Sequence, residues 1–309
     1  MDPDNGSGAA LMRAIVAHPR APDPPPGEGR AGTGARTGQP RPPVTPPLNV
    51  RSPRFVRVGD VKITTYGGPM AAQGDPAATP TTPPLLRLRG VGRVYGERHA
   101  LHPLDLDLEP GTCTALFGHN GSGKSTLLRI ASGRDTPTTG SALFAGRPVS
   151  EDDPEVRARV AVVGDTVATY PDLTVREHLE LVTVAHAVDD AQAWIDHVLA
   201  DRRLSDHARA LPGSLSSGQL QSLLLAAALV RPRDLLVLDE PEQRLDPDAR
   251  IRLAELLTGE KEDGVAVLLA THQADLAEAV ADRMIALEDG RVVAEGPPSE
   301  VLGRLGLRG

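Results

Sequence analysis

Residues 112–130 read TCTALFGHNGSGKSTLLRI, and this stretch decides the fold of the chain. It begins with a short apolar segment, Thr112 to Phe117, which has the length and composition of a buried strand. The next eight residues match the pattern G-x-x-x-x-G-K-S, and a segment with helical character follows at once. A strand, a glycine-rich turn and a helix in this order predict a loop whose backbone N–H groups surround a phosphate.

The residues of this loop have separate predicted roles. Lys124 is expected to reach the β- and γ-phosphate oxygens of a nucleotide, and Ser125 to offer its hydroxyl to Mg²⁺. A glycine-rich turn with an incidental lysine is the alternative, and the strand-to-helix context argues against it. The residues predicted to bind the nucleotide here are Gly118, His119, Asn120, Gly121, Ser122, Gly123, Lys124, Ser125 and Thr126.

A second apolar strand, Leu235 to Leu238, ends in the carboxylates of Asp239 and Glu240. Open parallel sheets bind their ligands at the carboxyl ends of the strands. We therefore expect Asp239 to hold Mg²⁺ and Glu240 to polarise a water molecule that attacks the γ-phosphate. An acidic pair after a strand is often only a solvated turn, and the phosphate-binding loop is what favours a functional role.

Short apolar segments alternate with longer amphipathic ones from residue 85 onward, which predicts an α/β fold with a largely parallel sheet. The alternation of leucine with aspartate from Leu104 to Leu108 predicts a half-buried strand. The other predicted elements are strands at 160–163 and 265–270, two helices within 175–199 that meet near Asp189, a helix from Ser216 to Val230, and a hairpin at Asp289-Gly290.

The first 84 residues have a different composition, since they hold 17 of the 29 prolines and 11 of the 31 glycines. Both residue types are unfavourable inside helices and strands, so we predict a disordered tail over residues 1–84 and one folded unit over residues 85–309. Met70 lies just before the folded unit. We therefore also hypothesise that translation starts near Met70 and that the upstream residues are an artefact of start-site assignment.

Charge and composition exclude several classes of protein. The tail carries a charge of about +3 and the folded unit about −11, which argues against a nucleic-acid partner. Cys113 is the single cysteine, so no intramolecular disulfide can form, and its apolar strand predicts a core position. The longest apolar run has eight residues, too few to span a bilayer, and Arg13 interrupts the apolar stretch near the N-terminus. A cytoplasmic protein is expected.

With these motifs in place, residues from about 85 to 296 resemble the ATP-binding cassette of ABC transporters. Tyr95, in Val94-Tyr95-Gly96, looks like the family's adenine-stacking aromatic residue. His272, in Ala270-Thr271-His272, looks like the switch histidine that contacts the γ-phosphate. The stretch LSSGQ at residues 215–219 resembles the signature that closes on the nucleotide of the opposite subunit. Further contacts that the resemblance implies are Ser216, Ser217, Gly218, Gln219 and, in the loop after the acidic strand, Asp246.

The resemblance implies a phosphate-loop ATPase fold with a small antiparallel β part and a helical subdomain at about residues 166–230. It also implies that two cassettes enclose two Mg·ATP, with Lys124, Glu240 and His272 catalytic. The permease would be a separate membrane protein that docks on the helices at 175–199 and holds the subunit at the inner face of the plasma membrane. The compact build, with about 40 residues between Thr174 and the signature, resembles the cassettes of multidrug exporters.

Two residues depart from the family pattern. Asp165 stands where the family has a glutamine that touches Mg²⁺ and the attacking water, and no glutamine occurs between residues 126 and 191. Asp165 is nevertheless able to hold metal. Ser217 replaces the first signature glycine, which is tolerable if its φ is negative. These changes keep open a slow or non-hydrolysing cassette of a heterodimer. A soluble cassette protein of translation or DNA repair is the third alternative, which the single cassette and the lack of a heptad run disfavour.

Overall fold

The computed structural model describes residues 83–164 and 169–307, together with two strands nearer the N-terminus. These are β1 (Arg54–Val58) and β2 (Val61–Thr65), which pair antiparallel. They lie within the region that the sequence analysis predicts as a disordered tail, in a stretch that lacks proline and is rich in β-branched residues. The rest of the predicted tail, including Met70, lies outside the described residues.

The remaining elements alternate between strands and helices along the chain. The strands are β3 (Leu86–Tyr95), β4 (Arg98–Leu108), β5 (Cys113–Phe117), β6 (Thr139–Phe144), β7 (Arg147–Pro148), β8 (Val160–Val163), β9 (Leu235–Asp239), β10 (Ala266–Thr271), β11 (Arg283–Glu288) and β12 (Arg291–Gly296). The helices are α1 (Lys124–Ala131), α2 (Pro154–Arg159), α3 (Val175–Ala185), α4 (Ala191–Asp201), α5 (Ser217–Leu229), α6 (Pro247–Glu262), α7 (Ala274–Val280) and α8 (Pro298–Arg304). Within the described residues, none of these helices has both the length and the apolar character to cross a membrane.

A six-stranded sheet positions the predicted site. Its order is β12-β11-β5-β10-β9-β8, and all neighbours run parallel except β11 and β12. The glycine-rich loop leaves the carboxyl end of β5, and the acidic pair lies at the carboxyl end of β9. Only β10 separates these two strands, so the sheet brings the two motifs to the same edge.

A second sheet, in the order β4-β3-β6-β7, is antiparallel throughout and covers α1. Leu127 and Ile130 of α1 belong to one buried cluster with Leu86 of the small sheet and Leu268 of the large one. The helix that follows the glycine-rich loop is therefore enclosed between two sheets, which fixes the loop on a rigid element.

The helical region joins the large sheet through α5. Leu225 and Ala228 of this helix pack on the sheet, whereas Leu223 and Ala226 pack with the buried faces of α3 and α4. Ser216 is the N-cap of α5, so the predicted signature lies at the start of a helix with two buried faces.

Most predicted elements are confirmed to within one or two residues. β8 covers the predicted residues, β10 begins one residue later than predicted, and the hairpin turns at Asp289-Gly290 as expected. In β4 the leucines at 104, 106 and 108 are buried, whereas Asp105 is exposed, which confirms the half-buried strand.

The cysteine prediction is also confirmed, because Cys113 lies fully buried on β5 and burial raises the pKa of its thiol to about 12. We expect the native protein to react with a thiol reagent such as DTNB at least ~100-fold more slowly than the protein unfolded in guanidinium, since only the thiolate is reactive. Absorbance at the thiolate product's wavelength measures both rates. Rapid labelling of the folded chain would contradict the buried position.

Candidate nucleotide-binding site

The loop between β5 and α1 has a backbone that only glycine can adopt without strain at several positions. Gly121 and Gly123 have φ values of 84° and 107°. A Cβ atom at Gly118 would lie 2.3 Å from the carbonyl oxygen of Leu287, and one at Gly123 would lie 2.9 Å from that of Ala100. The loop is therefore a narrow backbone cradle that side chains would fill.

Lys124 reaches back across this cradle from the first residue of α1. Its side chain is only 4% exposed, and Nζ donates hydrogen bonds to the carbonyl oxygens of Gly118 at 2.7 Å and His119 at 3.1 Å. The same Nζ lies 3.2 Å from Oε1 of Glu240. A buried cation thus joins the loop to the end of β9.

Glu240 is held on several sides. Its φ of 47° lies in the left-handed region, and its N–H donates to the carbonyl oxygen of Ala270 at 2.9 Å. Besides Lys124, its carboxylate accepts a hydrogen bond from the amide of Gln243 and lies 3.5 Å from Nδ1 of His272. A strained backbone that the surroundings fix so fully is typical of functional positions.

A cavity of about 300 Å³ opens beside the loop and the acidic strand. The predicted site residues that line it are Tyr95, Asn120, Gly121, Gly123, Lys124, Ser125, Thr126, Asp239 and Glu240. Gly118, His119 and Ser122 complete the loop but do not line the cavity. The side chain of His119 is exposed, and that of Ser122 is fully buried.

The residues of this cavity fit Mg²⁺ that arrives with a nucleotide. Ser125 and Asp239 line the same cavity as the phosphate loop and offer a hydroxyl and a carboxylate oxygen. In the described residues no group of three or more His, Cys, Asp or Glu side chains could hold a metal ion alone. Magnesium usually combines one or two protein oxygens with phosphate oxygens and water, which matches this donor set. Asp165, the third predicted ligand, lies outside the described residues.

His272 lies beside the cavity rather than in its wall. It follows the last residue of β10, and its side chain is 43% exposed. Its Nε2 lies 3.0 Å from the amide nitrogen of Gln273, while Nδ1 faces Glu240. The histidine is therefore next to the carboxylate and accessible from solvent.

The signature forms the N-terminal cap of α5. The hydroxyl oxygen of Ser216 accepts a hydrogen bond from the N–H of Gln219 at 3.3 Å, and Oε1 of Gln219 accepts one from the N–H of Ser216 at 2.8 Å. Ser217 is the first helical residue, and its φ is not positive. The serine in place of glycine is therefore compatible with the backbone.

The signature residues do not line the cavity of the phosphate loop in their own chain. Ser216, Gly218, Gln219 and Asp246 line a separate cavity of about 290 Å³. Asp246 caps α6 by accepting a hydrogen bond from the N–H of Ala249 at 2.7 Å. The predicted nucleotide contacts thus line two cavities, which share Arg244.

Two glutamines of the cavity were missed by the sequence analysis. Gln243 donates to Glu240, and Gln221 lines the same cavity from α5. The spacing of Gln243, three residues after Glu240 in a tight turn, is a signal that could have found it, since its N–H donates to the Glu240 carbonyl oxygen at 3.1 Å. No local signal marks Gln221, because its position depends on how α5 packs.

The fold and the site define a phosphate-loop nucleoside triphosphatase with a composite α/β and helical architecture. The family model described as ABC transporter matches residues 101–243. The chain is 36% identical over 220 residues to Nod factor export ATP-binding protein I of Cupriavidus metallidurans, covering 71% of this chain and 73% of that protein. It is 39% identical to the aliphatic sulfonates import ATP-binding protein SsuB of Mycobacterium avium, covering 77% and 99%.

A solved structure of an ATP-binding cassette also resembles this chain. The dimeric structure of a post-hydrolysis state of the ATP-binding cassette MJ0796 bound to ADP and Pi matches with a TM-score of 0.64 and 28% identity, covering 72% of this chain and 99% of that one. The chain belongs to the ABC transporter ATP-binding family. It is an ATPase that binds ATP with Mg²⁺, and cassettes of this family dimerise and work with transmembrane permease subunits. The relatives are named for both export and import, which does not support the narrower resemblance to multidrug exporters.

Proposed function

We propose that this chain hydrolyses Mg·ATP between two cassettes and powers a permease encoded as a separate polypeptide. The observation that carries the proposal is the buried contact of 3.2 Å between Lys124 and Glu240, in a cavity that also holds Ser125 and Asp239. A cation, a hydroxyl and two carboxylates therefore line one cavity, and these are the groups that enzymes of phosphoryl transfer use around a nucleotide phosphate.

The arrangement suggests how the residues act. Backbone N–H groups of the loop and Lys124 bind the β- and γ-phosphates. The phosphate then replaces Glu240 as the partner of the Lys124 ammonium group. The carboxylate of Glu240 is then available to orient a water molecule for in-line attack, and His272 donates to a γ-phosphoryl oxygen. Magnesium, when bound, neutralises charge that develops on the transferring group, and we propose Ser125, Asp239 and Asp165 as its ligands.

We propose that the second group of residues completes the site of a partner cassette. Ser216, Gly218 and Gln219 lie at the start of α5, where N–H groups and the helix dipole favour an anion, yet they line a different cavity from the phosphate loop of their own chain. The MJ0796 cassette, a structural relative, is dimeric. A symmetric dimer would bring each signature to the other chain's γ-phosphate.

Mixing two inactive variants tests this sharing. We expect Lys124→Ala and Gly218→Asp each to lose ATP turnover alone, and an equimolar mixture to recover about a quarter of the wild-type rate, because half of the dimers then have one intact site. Gly218→Asp should fold, since an acidic residue is favourable in the first helical turn. Phosphate release measures the rate. A mixture as inactive as its components would contradict shared sites.

We propose export as the direction of transport and the helices α3 and α4 as the surface that docks the permease. The compact cassette and the similarity to a Nod factor export protein support export. Val184, near the end of α3, is 55% exposed although apolar, which supports a protein contact there. Docking would hold the subunit on the cytoplasmic face of the membrane. ATP-dependent uptake by inside-out membrane vesicles, rather than by right-side-out cells, would establish export.

The alternative is a slow or non-hydrolysing regulatory cassette that pairs with a different cassette. Asp165 favours it, because an ionised carboxylate accepts but cannot donate a hydrogen bond and adds negative charge near the γ-phosphate. Ser217 no longer does, since its backbone is helical. Turnover by the purified full chain separates the two: a rate that Glu240→Gln abolishes supports the enzyme, and equal residual rates support the regulatory cassette.

A further inference from the structure

We infer that Arg93 and Asp135 are positioning residues that hold the ring of Tyr95 as a platform for the nucleotide base. The phenolic hydroxyl of Tyr95 donates a hydrogen bond to Oδ2 of Asp135. The guanidinium carbon of Arg93 lies 4.5 Å from the centre of the Tyr95 ring. The inference rests on the proposed adenine contact of Tyr95 and adds the side chains that orient it.

The three side chains form a closed set of contacts. Nη2 of Arg93 lies 2.7 Å from Oδ1 of Asp135, and its Nε donates to Oδ2 at 3.2 Å. The side chain of Asp135 is only 8% exposed, so this fork of hydrogen bonds is largely shielded from water. Each partner therefore restricts the other two, which is how a mobile surface tyrosine acquires one orientation.

The set also ties the ring to the phosphate loop. Arg93 and Tyr95 belong to β3, whereas Asp135 follows the end of α1, the helix that begins with Lys124. The N–H of Val94 donates to the hydroxyl oxygen of Thr138 at 3.0 Å, and the N–H of Thr138 donates to the carbonyl oxygen of Gly92 at 2.8 Å, which joins the same two segments. The distance between the ring and the phosphate-binding residues is thus set by one rigid unit.

One face of the ring remains available. Tyr95 lines the phosphate cavity and is 38% exposed, whereas Arg93 covers the ring but does not line that cavity. The Tyr95 ring would then lie between the guanidinium of Arg93 and a base that stacks on the cavity side. Stacking accepts any base with a π face, so the arrangement positions the base without selecting adenine by hydrogen bonds.

A ligand without a base separates positioning from general damage. Isothermal titration with the full chain compares ATP with inorganic tripolyphosphate in Tyr95→Phe and Asp135→Asn. We expect each variant to weaken ATP binding about three- to tenfold, the range for loss of one net hydrogen bond, and to leave tripolyphosphate binding unchanged. The effects of the two substitutions should be less than additive in the double variant, because both act on the hydrogen bond between Tyr95 and Asp135, while Asp135→Asn also weakens the ion pair with Arg93.

Three results would contradict either the base contact of Tyr95 or the positioning role of its neighbours. If Tyr95→Ala binds ATP like the wild type, the proposed base contact of Tyr95 fails. If Tyr95→Ala weakens ATP but Tyr95→Phe and Asp135→Asn do not, only the positioning inference fails. If Asp135→Asn weakens ATP and tripolyphosphate equally, Asp135 supports the fold and not the ring, and the inference is again overturned.

Discussion

Glu240→Gln is expected to lower ATP turnover by about 10²–10⁴-fold, the contribution typical of a positioned general base, and to leave ATP binding within a few-fold of the wild type. Glutamine keeps the shape of the side chain, so it still accepts a hydrogen bond from a nearby donor. It lacks the negative charge that polarises water and that pairs with Lys124 at 3.2 Å. Steady-state phosphate release and nucleotide titration measure the two effects.

The same variant should form an ATP-dependent dimer on gel filtration, because bound nucleotide is no longer consumed. Glu278→Gln is the matched control, since Glu278 lies exposed on α7 and undergoes the same chemical change away from the cavity. It should turn over ATP at the wild-type rate. If Glu240→Gln and the wild type show equal residual rates, the chain is not a working ATPase by this route.

The sequence predicts elements best where hydrophobic pattern and burial coincide. β8 is a continuous apolar run buried in a parallel sheet, and its predicted bounds are those observed. β3 was not predicted as a strand, because glycines interrupt its pattern and its pairing with β4 shifts register between Leu88 and Val94. The helix α6 has only a few buried residues among many charges, so its periodicity is weak in the sequence.

The candidate site divides in the same way. Lys124 and Ser125 are neighbours in one motif, and Asp239 and Glu240 in another, so local pattern places them and the sheet order unites them. The separation of the signature from the phosphate cavity depends instead on the packing of α5 between sheet and helices. Contacts such as Arg93 with Asp135 join residues far apart in the chain, and a single sequence carries no signal for them.

Lys124→Ala should weaken ATP binding by at least ~100-fold, because charge-assisted hydrogen bonds to phosphate are lost and nothing replaces them. The side chain is 4% exposed and lies inside the loop, where its Nζ already has two carbonyl partners arranged for a cation. Its removal also leaves the Glu240 carboxylate, with a side chain only 11% exposed, without its cation. That negative charge would then face the γ-phosphate and repel it.

Loss of binding has to be distinguished from loss of folding, since removing one partner of a buried ion pair destabilises a protein. The rise in melting temperature on adding Mg·ATP makes the distinction, because a ligand stabilises only the fold that binds it. We expect this rise in the wild type and not in Lys124→Ala, whatever the melting temperature without nucleotide. Lys261→Ala is the matched control: it breaks an ion pair of 2.9 Å with Asp282 away from the cavity and should keep the full rise. A Lys124→Ala protein that shows the wild-type rise would contradict the assignment of this loop as the phosphate site.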